Sequence, residues 1–253
     1  MDVKLRINEV EVEAQKGEYL LDVARRAGFE IPSLCHHEAV KPIGSCRVCL
    51  VEVKAGKKTS LTTSCNYTIE GGEEVTTDSE LIRRMRAINL ELLLARAPGS
   101  KRVRELAQEY GVSRPRFPPV EDSWLPNCIL CELCVRVCEE LGHNALSTQG
   151  RGDEKKIGLP FNKPAESCVG CGSCYSVCPT GCILMKDTAV DRTIWGQKFD
   201  FVRCKQCGAP VITEKHRAFA IENKGLPENY YDLCESCKQA DASKRFAAVA
   251  WQD

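Results

Sequence analysis

The sequence predicts an α+β chain of several small modules rather than one oil-filled domain. Three observations predict it. Seventeen of the 253 residues are cysteine, and the 43% hydrophobic fraction counts them. Aromatics are only 6%, so the apolar side chains alone suit small cores better than a large one. Strand-like alternation fills the first part of the chain, helical periodicity follows, and short-gap cysteine runs come after both.

Residues 1–77 read as a compact α+β unit. Val3, Leu5 and Ile7 alternate, Asn8-Glu9 turns the chain, and Val10 and Val12 alternate again, which is a hairpin pattern. Residues 19–27 form a short helix with Gly28 just past its end as a C-cap. A cysteine loop and the strand Leu50-Val51-Glu52-Val53 follow. Residues 78–119 carry no cysteine and read as a helical linker. Leu81, Met85, Ile88, Leu92 and Ala95 recur at helical spacing, with Asp78 or Ser79 as N-cap. Ala97-Pro98-Gly99 stops that helix. Ser100 caps a second one with Val103, Leu106, Ala107 and Tyr110 on one face, and Gly111 closes it. The arginines of this stretch read as a solvated or interface face. Pro115, Pro118, Pro119 and Pro126 mark an extended passage into residues 120–195. Within that module, the polar stretch from Thr148 to Lys156 reads as a surface loop. Residues 196–253 form a tail.

The 35 basic and 35 acidic side chains cancel. That balance argues against a general nucleic-acid binder and against a strongly acidic free carrier. No apolar run is long enough to span a bilayer, and the first residues do not read as a signal peptide. The expected compartment is therefore the reducing cytoplasm, where cysteines more often ligate metal than pair as disulfides.

The cysteine spacing carries three signals. The strongest is Cys128-x2-Cys131-x2-Cys134-x3-Cys138, repeated as Cys168-x2-Cys171-x2-Cys174-x3-Cys178-Pro179. This is the bacterial ferredoxin run for a [4Fe-4S] cubane, whose fourth cysteine ligates the other cluster. It assigns Cys128, Cys131, Cys134 and Cys178 to a first cubane, and Cys138, Cys168, Cys171 and Cys174 to a second. Gly170 and Gly172 let the backbone fold closely round the second site. Pro179 ends its run, whereas Glu139 follows Cys138 in the first. The second signal is Cys35-x10-Cys46-x2-Cys49-x15-Cys65. Its first gap is longer than the plant-type [2Fe-2S] spacing, but the turn at Pro42, Gly44 and Ser45 suits such a loop. A zinc site is the alternative, and His36 and His37 read as loop-surface residues. The third signal is the pair Cys204-x2-Cys207 and Cys234-x2-Cys237, a four-thiolate structural zinc arrangement that mononuclear iron or a further iron–sulfur cluster would also fit. His216, between these pairs, reads as solvent-facing. Cys182 is left over and reads as a small apolar residue packed beside a cluster.

The stretch IPSLCHHEAVKPIGSCRVCLVEV, then TTSC, then EGGEEVTTDSE resembles the N-terminal region of the large iron–sulfur subunit of respiratory complex I. It also resembles the diaphorase iron–sulfur subunit of NAD-linked hydrogenases and the N-terminal part of iron-only hydrogenases. The likeness covers roughly residues 1–190. It implies a β-grasp [2Fe-2S] ferredoxin domain with Cys35, Cys46, Cys49 and Cys65 on the cluster, then a double [4Fe-4S] ferredoxin domain. That family usually places a His-x3-Cys-x2-Cys-x5-Cys cluster site between the two. Here the corresponding stretch, LLLARAPGSKRVRELAQEYGV, has neither cysteine nor histidine, so that cluster is expected to be absent. Either the remaining clusters approach directly or a partner bridges them. The tail more weakly resembles metal-binding tails of hydrogenase-type ferredoxin subunits.

No dinucleotide fingerprint, phosphate-binding loop or paired nucleophile and base is present, so no catalytic residues are expected. The expectation is an electron-transfer subunit of a hydrogenase-type or electron-bifurcating oxidoreductase. The resemblance implies its partners: a flavin- and NAD(P)H-handling subunit and a hydrogenase or other catalytic redox subunit, with ferredoxin as a further one. A free polyferredoxin-like carrier is the alternative.

Overall fold

The computed structural model describes residues 1–120 and 124–250, with side chains through residue 246. The described chain is mixed α+β and falls into two compact units. The first unit holds residues 1–137, 148–157 and 177–183; the second holds residues 138–147, 158–176 and 184 onward. No helix among the described residues is long and apolar enough to cross a membrane.

The first unit opens with the hairpin β1 (Asp2–Ile7) and β2 (Val10–Gln15). Asn8 and Glu9 both take positive φ at its turn, which suits the twist of a two-residue hairpin. Helix α1 (Leu20–Arg26) ends at Gly28, whose φ of 86° only glycine adopts freely. β3 (Leu50–Ala55), β4 (Lys58–Thr63) and β5 (Glu74–Thr76) complete a sheet of order β2-β1-β5-β3-β4. β1 and β5 pair in parallel and the other neighbours are antiparallel. Leu5, Ile7, Leu20, Leu21, Val51, Val53 and Ile69 close its core, and Cys49 and Cys65 are buried in the same cluster.

Helix α2 (Glu80–Arg96) is capped by Ser79, whose hydroxyl accepts from the Ile82 N–H at 3.2 Å. Its buried stripe is Ile82, Arg86, Leu90 and Leu94, an i,i+4 series. The expected face is therefore displaced: Leu81 and Leu92 are exposed, and the core-facing row includes an arginine. Arg86, expected on a solvated face, is 2% exposed. Its guanidinium donates to the Leu50 carbonyl (2.6 Å), the Thr77 carbonyl (3.0 Å) and the Tyr110 hydroxyl (2.8 Å). Burial is tolerated because three acceptors meet the charge. α3 (Lys101–Glu109) is capped by Ser100 and buries Val103, Leu106 and Ala107. The chain reaches α4 (Leu133–Glu140) and, after it, the ribbon of β6 (Ser147–Gln149) and β7 (Lys156–Gly158), whose turn is exposed as expected.

The second unit contains the one-turn helix α5 (Ser173–Ser176) and a four-stranded sheet. Its strands are β8 (Met185–Asp187), β9 (Asp191–Ile194), β10 (Gln197–Arg203) and β11 (Pro210–Thr213), in the order β11-β10-β9-β8. α6 (Glu214–Lys224) is capped by Thr213, and α7 (Glu235–Ala250) follows.

Arg86→Ala leaves two buried carbonyls and a hydroxyl unmet. It should cost about 3 kcal/mol of stability, read as a lowered urea midpoint, whereas Arg83→Ala on the exposed face should leave that midpoint nearly unmoved.

Candidate iron–sulfur and metal sites

In the first unit, Cys35, Cys46, Cys49 and Cys65 are all buried, with the Cys35 thiol beside those of Cys46 and Cys65 and the Cys65 thiol beside that of Cys49. The Cys46 N–H points at the Cys35 sulfur at 3.3 Å. The neighbouring Cys46 and Cys65 thiols pull the Cys35 thiol down from its ordinary value. Gly44, at a φ of 67°, has Asn66 and Thr63 side-chain atoms 3.0 Å from where a Cβ would stand. His36 departs from its expected place. Its side chain is 7% exposed and lies 3.1 Å from Asp22, and burial pushes its imidazole down. His37 stays on the half-buried loop, its Nδ1 accepting from the Ala39 N–H.

Cys128, Cys131, Cys134 and Cys178 also fall in the first unit. The loop wraps with its N–H groups toward sulfur: Leu130 N–H lies 3.4 Å from Cys128 Sγ. To do so, Leu130 and Glu132 take φ of 53° and 60°. A non-glycine residue there carries roughly 1–2 kcal/mol of strain. The matching positions of the second run are Gly170 and Gly172, at φ of 67° and 82°. The same backbone shape is thus strained in one run and relaxed in the other. Cys182 is half-buried, its sulfur 3.5 Å from Cys178 Sγ, and the Cys128 thiol beside it pushes its own thiol up. It is a polar neighbour of two candidate ligands rather than an apolar filler, and its thiol is the main reason the Cys178 thiol drops to about 5.

Cys138, Cys168, Cys171 and Cys174 fall in the second unit and line one cavity with His143, Ile194 and Trp195. Donors already aim at this sulfur set. Ala145 N–H reaches Cys138 Sγ at 3.2 Å and Trp195 Nε1–H reaches Cys174 Sγ at 3.3 Å. Burial pushes the Cys174 thiol up to about 11, and positive charge at the sulfur set favours its thiolate. At Gly170 any Cβ would strike the Phe199 ring at 2.6 Å, so the loop can pack this closely only without a side chain. His216 is not solvent-facing. It is half-buried, its imidazole pushed down by burial, and its ring lies 6.1 Å from that of His143. Sequence reasoning passed over His143 and Trp195, because neither belongs to a spacing pattern.

In the tail, the sulfurs of Cys204, Cys207, Cys234 and Cys237 all lie within 4.8 Å of one another, and Cys207 and Cys234 are 3.6 Å apart. A tetrahedral zinc–thiolate site has sulfurs about 3.8 Å apart, so the four fit one ion. Backbone N–H groups of Cys234, Cys207 and Gln206 bring the Cys204 thiol down to about 6. Gly208 turns the knuckle at a φ of 71°, and Lys205 ties it to Asp232 at 2.6 Å.

Two family models match this arrangement. Residues 1–80 match the 2Fe-2S iron-sulfur cluster binding domain, and residues 125–185 match the 4Fe-4S dicluster domain. The chain is an iron–sulfur protein with these two domains in series. It is 34% identical to the NADPH-Fe(3+) oxidoreductase subunit alpha of Geobacter sulfurreducens, over 93% of this chain and 30% of that one. It is 30% identical to a subunit of the NADH-quinone oxidoreductase of Rhizobium meliloti, over 81% of this chain and 27% of that one. The iron–sulfur chain thus spans less than a third of the length of these relatives. A solved structure of NAD+-reducing [NiFe]-hydrogenase in the H2-reduced state contains a similar chain. It has a TM-score of 0.63 and 27% identity, covering 71% of this chain and 86% of that one.

Cys237→Ser should remove one equivalent of tail metal, measured by elemental analysis of the anaerobic protein. The iron–sulfur absorbance should stay within about 10% of its original value, because the tail sulfurs form a set of their own.

Proposed function

We propose that the chain is the electron-relay iron–sulfur subunit of a cytoplasmic multisubunit oxidoreductase. Cys35, Cys46, Cys49 and Cys65 hold a [2Fe-2S] cluster. Cys128, Cys131, Cys134 and Cys178 hold the first [4Fe-4S] cubane, and Cys138, Cys168, Cys171 and Cys174 hold the second. Cys204, Cys207, Cys234 and Cys237 hold a zinc ion that staples the tail. When bound, such clusters exchange single electrons with little change in geometry. A flavin subunit that handles NAD(P)H stands at one end of the relay, and a hydrogenase or related catalytic subunit at the other.

One observation carries this reading. A single guanidinium joins the [2Fe-2S] loop to the first cubane loop within the first unit. Arg136 donates from one nitrogen to the Cys35 carbonyl (3.0 Å) and the Cys131 carbonyl (3.1 Å), and from another to the Lys41 carbonyl (2.7 Å). Ser45 adds a hydrogen bond to the Leu130 carbonyl at 3.3 Å. The loops of two candidate redox sites are thus packed together, which suits direct passage of electrons and needs no intervening cluster. The absence of a His-Cys cluster motif between them is then no gap in the wire.

Anaerobic purification of the native complex tests the reading. A co-purifying flavin subunit and a catalytic redox subunit are expected; a lone monomeric chain that still accepts electrons would leave a soluble carrier instead. The isolated chain should contain about ten iron atoms with matching sulfide and one further metal. Cys138→Ser should diminish only the second cubane and Cys178→Ser only the first, read by electron paramagnetic resonance. The opposite pattern would reverse the ligand pairing. Arg136→Ala should cost about 2–4 kcal/mol of stability and slow electron exchange between the [2Fe-2S] cluster and the first cubane, read by rapid-freeze spectroscopy.

A further inference from the structure

His143 follows the last cysteine of the first run by five residues and is 4% exposed. Its backbone N–H donates to the Cys138 carbonyl at 2.9 Å, and the Ala145 N–H meets Cys138 Sγ. This tight turn brings the imidazole into the wall of the cavity lined by Cys138, Cys168, Cys171 and Cys174. The ring is held from behind. Phe219 of α6 packs edge-on against it at 4.4 Å between centroids, and His216 of the same helix stands at 6.1 Å. Its Nδ1 is buried and has no hydrogen-bond partner among the described residues.

A buried polar atom without a partner is costly, and native structures seldom keep one unless a bound group satisfies it. The cavity beside this ring is walled by thiols. Cluster sulfide and cysteine thiolate are acceptors, so a nitrogen facing them must donate. We propose that His143 Nδ1–H donates a hydrogen bond to the [4Fe-4S] cluster held by Cys138, Cys168, Cys171 and Cys174, with α6 fixing the ring in place. The inference rests on the cluster reading above. Reduction adds negative charge to the sulfurs, so a donor there favours the reduced state and raises the cluster's potential. His143 then joins Trp195, whose indole N–H meets Cys174 Sγ, as a second side-chain donor to the same sulfur set. The first run has its own donors, so the role would separate the potentials of two otherwise similar cubanes.

The test is a redox titration of the full-length anaerobic protein by electron paramagnetic resonance. The second cubane's signal is identified by its loss in Cys168→Ser. His143→Leu should lower that cluster's midpoint by about 59 mV, a tenfold change in its one-electron equilibrium. His143→Gln, which keeps a donor, should recover much of the shift. An unmoved midpoint in His143→Leu overturns the proposal. Should that variant fail to assemble the cluster, pulsed spectroscopy of wild-type protein carrying 15N-histidine decides. A nitrogen coupling to the reduced second cubane that vanishes in His143→Gln supports the proposal, and no coupling overturns it. A wild-type chain without any second-cubane signal would sink the cluster reading itself. A normal signal with an unmoved midpoint removes only the role of His143.

Discussion

A thiolate site needs backbone N–H groups turned inward, and each such turn leaves carbonyl oxygens turned outward and unmet. Much of this chain is organised by that constraint. Leu130 N–H and Ala145 N–H face sulfur, as does the Cys46 N–H at the earlier site. The outward carbonyls of the same loops are collected by arginines. Arg96 takes that of Cys128, Arg136 those of Cys35 and Cys131, and Arg192 those of Gly170 and Cys171. A guanidinium suits the task because its planar fork reaches several acceptors at once and stays charged. Arg96, one of the linker arginines read as a solvated or interface face, is thus part of the scaffold of a cysteine loop.

The backbone cost of the wrap is distributed unevenly. Gly170 and Gly172 adopt the required left-handed conformation freely, whereas Leu130 and Glu132 adopt it under strain. The strain persists because the surroundings over-determine it. Arg136 and Arg96 fix the flanking carbonyls, and Glu132 is paired with Lys155. Local propensity alone would have counted against the first loop, and tertiary contacts outweigh it.

The division of the chain into two units falls beside the last cysteine of each ferredoxin run. Residues 177–183, which carry Cys178, belong to the first unit, and residues 138–147, which carry Cys138, belong to the second. Each unit thus takes a segment from the other's stretch of sequence, and each gathers four cysteines of the ferredoxin pattern. The tail follows a simpler rule. Two knuckles supply two sulfurs each, and one ion suffices to join them.

What could be read from the sequence was whatever obeys a fixed local period. The alternation of Val3, Leu5 and Ile7 marked the hairpin, Asp78 or Ser79 and then Ser100 marked helix starts, and the cysteine gaps marked three groups of thiols. These signals survive because hydrogen-bonded turns and metal geometry constrain spacing directly. Non-local placement was not legible. The row that α2 buries runs through Arg86 because three acceptors from Leu50, Thr77 and Tyr110 happen to meet it there. His36, His216 and His143 are withdrawn from solvent by partners distant in sequence or by a turn with no spacing signature. The sequence by itself determined which atoms are available to hold iron and sulfur. Only the tertiary structure decided which polar groups surround them, because a buried hydrogen bond depends on where the chain returns and not on the residues next door.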